Sequence, residues 1–174
     1  MNPTPNAGQA RERADLLATL NQHRYFLRFT ARGLTEEQAR TAPTVSALTV
    51  GGLIHHVSEV EARWVAFTTQ GAAAFEQVAW TGGEAATDRL ALPAGRTLAE
   101  ALAEYDRVAD RTAQVVAALV DLDADHELPT APWFEPGARW SARRALLHVI
   151  AETAQHAGHA DIVREAIDGQ KTMG

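Results

Sequence analysis

The stretch VGGLIHHVSEVEARWVAFTT, residues 50–69, decides the fold. Within it Leu53, Val57, Val60, Trp64 and Phe67 recur at spacings of four, three, four and three, one narrow face of a helix. Thr49 precedes it as an N-cap whose hydroxyl can accept from the first free amides, and Gly71 lies just past its end. A helix that is apolar on one face must bury that face against other elements. The flanking sequence supplies them.

Upstream, residues 10–32 carry a mixed apolar stripe of Leu16, Leu17, Leu20, Phe26, Leu27 and Phe29, ended by Gly33. Thr35-Glu-Glu-Gln38 has capping-box form and opens a short helical turn that Pro43 closes. Downstream, Thr97-Leu-Ala-Glu100 is a second capping box, starting a helix that the pattern carries to about Leu122. A last helix follows Ser141 as N-cap and runs to Asp168, where Gly169 stops it. Residues 71–95 are rich in Gly, Ala, Thr and Pro, a length suited to a crossover between helices that are not antiparallel neighbours. Residues 123–139, with Pro129, Pro132, Trp133 and Pro136, read as a loop, and strand signals are absent. The expectation is an all-α four-helix bundle with a long crossover between its second and third helices. One domain spans residues 10–169, between an N-terminal tail (1–9) and a C-terminal tail (170–174).

Composition removes several classes of function. The chain has 174 residues, long enough for one real core, and a net charge of -6, which disfavours a nucleic-acid binder. No apolar run approaches the roughly 18–20 residues that span a bilayer, so no membrane partner is expected. The start, MNPTPNAGQA, lacks the n-region and h-region of a signal peptide, which predicts a frayed tail on a cytoplasmic protein. Cysteine is absent, which excludes disulfides, thiolate metal sites and a cysteine nucleophile together. Any thiol chemistry needs a thiol brought in on a substrate. Fifteen of the sixteen cationic residues are Arg, a bias that fits a GC-rich bacterial genome.

Chemistry concentrates in the histidines. His148, Glu152, His156 and His159 are spaced by four, four and three along one stripe of the last helix, away from its apolar stripe. Imidazole and carboxylate are the standard ligands for zinc, nickel or iron where thiolate is missing. On the second helix, His56 lies roughly 60° from the centre of the apolar face, within reach of a neighbouring helix, and His55 roughly 160° away, in water. Spacing alone does not choose among His148/Glu152, Glu152/His156 and His156/His159 as a ligand pair, and it also fits a solvated face. No ferritin-like Glu-x-x-His and no His-Glu-x-x-His occurs, which argues against a di-iron bundle and a zinc protease. His23 and His126 read as solvent-facing.

Two stretches carry a resemblance. Leu48 to Trp64 resembles the second helix of the DinB/YfiT-like superfamily of metal-binding four-helix bundles. Trp140 to Gly169, through Leu-Leu-His148-Val-Ile-Ala-Glu152-Thr-Ala-Gln-His156-Ala-Gly-His159, is similar to its actinobacterial branch. That branch holds the mycothiol S-transferases and the N-terminal domain of mycothiol-dependent maleylpyruvate isomerase. The resemblance implies an up-down-down-up bundle and a metal triad of one His from the second helix and two ligands four apart on the last. Carried onto this chain, the triad is His56, Glu152 and His156, which would also be the catalytic set.

The resemblance further implies a divalent metal, zinc first, with nickel, iron or manganese open. It implies mycothiol or bacillithiol as thiol cosubstrate and an electrophilic small molecule as its partner. His159, Trp64 and Arg164 become candidates for contact with the cofactor; Trp64, Trp133 and Trp140 could form a groove wall or pack in the core and loops, and Arg143, Arg144 and Arg164 could meet an anion, be solvated or counter the acidic surface. The leading reading is a metal-dependent thiol S-transferase. Its rivals are a metal-dependent hydrolase on the same open site, and a non-enzymatic, stress-associated binding module. A homodimer is compatible with the exposed faces of such a bundle.

Overall fold

Helix starts are set by hydroxyl caps. In the computed structural model, which describes residues 7–76 and 90–172, α1 spans Ala7–Thr30, α2 Glu36–Arg40, α3 Val50–Gln70, α4 Leu98–Ala118 and α5 Ala142–Asp168. Thr35 and Thr97 form complete capping boxes with Gln38 and Glu100, and the hydroxyls of Thr49 and Ser141 accept from the amides of Gly52 and Arg144. Gly169 ends α5 in the left-handed conformation, φ 78°. The expected boundaries hold to within a turn: α1 begins three residues earlier than its stripe suggested, and α4 stops at Ala118 rather than near Leu122. Ends of helices are where pattern is weakest.

Contacts between helices give the topology. Arg143 pairs with Glu12 near the start of α1, and Arg164 donates to the Thr30 carbonyl at its end, so α1 and α5 run parallel. On α3 and α5, His56 meets His156 and Trp64 meets His148: eight residues forward on one helix match eight back on the other, which is antiparallel. Arg28 pairs with Asp106 and Arg13 donates to the Leu119 carbonyl, so α1 and α4 are antiparallel too. The helices run up, down, down, up, in the ring α1–α5–α3–α4. Because α3 and α4 are parallel, the chain must retrace about 30 Å between them at 1.5 Å per helical residue. A 3-10 turn, Gly71–Phe75, starts that return; part of the expected crossover, 77–89, lies outside the described residues. Its far end packs onto the start of α3, where a Cβ on Gly52 would fall 1.8 Å from the Leu90 carbonyl oxygen. Only glycine permits that approach, which accounts for a helix opening on two poor helix formers.

The segment expected to be a plain loop contains a small antiparallel ribbon, β1 Asp125–Glu127 with β2 Arg139–Ser141, in register His126 to Trp140. Three-residue strands are too short for alternation to show in sequence. The ribbon settles backbone groups at the start of α5: the amides of Ala142 and Arg143 donate to the carbonyls of Ala124 and Leu122. It also seats His126 against Phe67, ring centroids 5.7 Å apart, so that histidine is half-buried rather than solvent-facing. Among the described residues no helix is long and apolar enough to cross a membrane.

At the bundle's centre sits a carboxylate. Glu61 of α3 is fully buried; the guanidinium of Arg24 (α1) grips both its oxygens, and the Thr112 hydroxyl (α4) donates to Oε1 at 2.5 Å. One carboxylate therefore ties three helices. Removing one partner of a buried pair leaves an uncompensated charge, a loss of about 3–5 kcal/mol. Glu61→Ala is expected to lose that much in urea unfolding, whereas replacing the pair together, Arg24→Met with Glu61→Leu, should lose far less. Equal losses in the two would show that the pair's charges are not what matters.

Candidate metal centre

The antiparallel register of α3 on α5 brings the sequence-singled residues together. His56 projects from the flank of α3 onto the polar stripe of α5, its ring edge-on to that of His156 with centroids 5.0 Å apart. On α5 the four-residue step sets Glu152 Oε2 3.4 Å from His156 Nε2. One donor atom from each of His56, Glu152 and His156 lies within 4.8 Å of the others. These are the three residues that the family resemblance implies.

The donor set suits a divalent cation. Ligands at 2.0–2.2 Å in tetrahedral array stand about 3.4 Å from one another, the separation already present between Glu152 and His156. Two imidazoles and one carboxylate leave at least one position free, the pattern of an open site rather than a closed structural one.

Electrostatics favour the ligating protonation states. Burial pushes the His56 imidazole down to about 4, and the nearby His156 acts in the same direction, so its ring is neutral at ordinary pH. The hydrogen bond from His156 holds the Glu152 carboxyl below its usual range, with His148 and His56 adding to the effect, so that side chain is an anion. Neutral imidazole and ionised carboxylate are what a metal takes.

His159 and His148 flank the triad. His159 Nδ1 lies 3.3 Å from His156 Nδ1. His148 is half-buried: its Nε2 stands 3.8 Å from Glu152 Oε1, and its ring sits edge-on to Trp64 and Trp140 at 4.8 and 5.3 Å. Burial lowers its pKa. Trp64 itself is buried and stacked on Trp140, 4.8 Å between centroids, so it backs the site through His148. Trp140, carried by β2, reaches His148 only through the unforeseen ribbon.

Several expectations are corrected. Arg164 is 3% exposed, and its guanidinium is spent on the carbonyls of Thr30 and Arg32 and on Asp168, joining the ends of α1 and α5; it does not face an anionic cofactor. Arg143 counters the acidic surface through Glu12 and Asp123, one of the roles expected of it, and Arg144 lies over the Trp140 ring at 4.5 Å. His23 is half-buried with its ring 6.4 Å from Phe26. His55 is not in water: its side chain is 13% exposed, and Arg96 Nη1 stands 3.2 Å from its Nδ1. It lines a cleft of about 350 Å³ with Glu59, Arg63, Arg96 and Glu104, on the α4 side of α3. Nothing in the local pattern signals that cleft, because Arg96 arrives from the far end of the crossover.

No curated protein gives a significant match to the chain. A family model described as mycothiol-S-transferase matches residues 15–169, which takes in α1 from Asp15 onward, all of α3, α4 and α5, the ribbon and every residue of the triad. With that match over most of its length, the chain belongs to the mycothiol S-transferase family.

Proposed function

We propose that the protein is a metal-dependent S-transferase that joins a low-molecular-weight thiol, mycothiol or bacillithiol, to electrophilic small molecules. The observation that carries this is the convergence of His56, Glu152 and His156 to within 4.8 Å on a half-buried face with a free position. Family membership supports the thiol, and the absence of cysteine fits a sulfur nucleophile supplied from outside.

A divalent metal, zinc best matching the nitrogen and oxygen donors, supplies the positive charge that lets a thiol lose its proton near neutral pH. His56 and His156 would hold such an ion through nitrogen and Glu152 through one anionic oxygen, which would leave it a net positive charge to attract a thiolate. The edge of His148, backed by the Trp64–Trp140 stack, gives the groove an aromatic wall beside Glu152. The S–H proton leaves to solvent. The sulfur's electron pair forms the new S–C bond as the leaving group departs with its own pair.

Elemental analysis of protein purified without a metal-affinity tag tests the assignment. About one metal per chain is expected in the wild type and almost none in Glu152→Ala or His56→Ala. Thiol conjugation to a chromogenic electrophile should fall with the metal. Variants that kept both metal and conjugation would remove these residues from the centre.

The protonation states predict a pH effect in the metal-free protein. An unfolded chain takes a proton on His56 below about 6.5, whereas the folded one does so only near 4. Between those values the unfolded state binds more protons, so stability rises with pH. The contribution is fully present above about 6.5 and is lost as pH falls toward 4. Urea unfolding from pH 4 to 7 should show this slope, shallower in His56→Gln; an unchanged slope would mean that His56 is solvated.

A further inference from the structure

His156 is asked to make two polar contacts with one proton. Its Nε2 faces Glu152 Oε2 at 3.4 Å, and its Nδ1 faces His159 Nδ1 at 3.3 Å. A neutral imidazole carries a single N–H, so one nitrogen donates and the other accepts. With Nε2–H donating to Glu152, Nδ1 accepts from His159. With Nε2 given to a metal, the proton must sit on Nδ1, and His159 Nδ1 is the acceptor placed to receive it. The His156 side chain is only 12% exposed, so solvent is a poor substitute partner. His159 belongs to the same face one turn on, half-buried, its ring centroid 5.4 Å from that of His156.

We infer that His159 is a positioning residue: it accepts the Nδ1–H of His156, fixing the tautomer and ring orientation that present Nε2 to the metal. The hydrogen bond between the two rings reverses polarity on metal binding. A ligating histidine whose other nitrogen is held in this way is oriented before the metal arrives, and loss of such a partner costs roughly 10–100-fold in metal affinity. This inference rests on the metal-centre reading above.

The test measures zinc dissociation constants by chelator competition for wild type, His159→Ala and His159→Asn. Asn can place its Oδ1 near the position of the lost Nδ1 as an acceptor. His159→Ala should bind zinc roughly 10–100-fold more weakly, with most of the affinity restored in His159→Asn. The metal-free melting temperatures of all three should agree, which a structural role for His159 would not allow. Long-range proton–nitrogen NMR of the zinc-loaded wild type should show His156 protonated on Nδ1. Unchanged affinity in His159→Ala overturns the inference and leaves the triad standing. A cobalt absorption spectrum altered in His159→Asn overturns it as well, since His159 would then be a ligand itself. A wild type that takes up no zinc overturns the metal-centre reading, and this inference with it.

Discussion

Everything in the site depends on how α3 is rotated about its own axis, and one buried carboxylate sets that rotation. Glu61 is held by Arg24 from α1 and Thr112 from α4, so its side of α3 must face the bundle's interior. His56 lies five residues earlier, about 140° around the helix, which turns it toward α5. A rotation of α3 by one residue would move His56 off α5 and leave an unpaired anion in the core. Such a loss is severe in a low-dielectric interior. The polar core and the candidate metal centre are thus two consequences of a single angular constraint.

The same constraint explains why a four-residue pattern on α5 is read in only one register. Trp64 against His148 and His56 against His156 are matched steps of an antiparallel pair, and apolar packing around Trp64 locks the slide between helices. Shifting α5 by one turn would pair His56 with Glu152 or Ala160 and expose the stacked tryptophans. Of the three pairs open in the sequence, the packing two turns away sets Glu152 and His156 beside His56.

Most of the fold was legible because it is local. The Thr35 and Thr97 capping boxes, the Thr49 and Ser141 caps and Gly169 all act within a few residues of where they stand. What escaped is what distant chain segments bring together. The β1–β2 ribbon is three residues a side and leaves no period. Arg24 and Glu61 each break an apolar stripe and look like solvated charges until α1 meets α3. Arg164 has the same appearance as a surface arginine, yet the carbonyls at the end of α1 claim it. In the site, the stripe of His148, Glu152, His156 and His159 was visible, while the selection within it came first from a family resemblance and then from contact with His56.

His55 and His56 show how far a neighbour, rather than a residue type, determines chemistry. They are adjacent, both are largely covered, and burial lowers the pKa of each. One hundred degrees of helix separate their fates. On the α5 side His56 meets an anion and a second imidazole, an arrangement with spare lone pairs and negative charge for a cation to collect. On the α4 side His55 meets Arg96, whose fixed positive charge 3.2 Å from Nδ1 occupies the free lone pair and repels a metal. Glu59 lies within reach of His55 but is already shared with Arg63, 3.0 Å away. The two histidines thus meet different partners across α3, an arginine for His55 and a carboxylate with a second imidazole for His56.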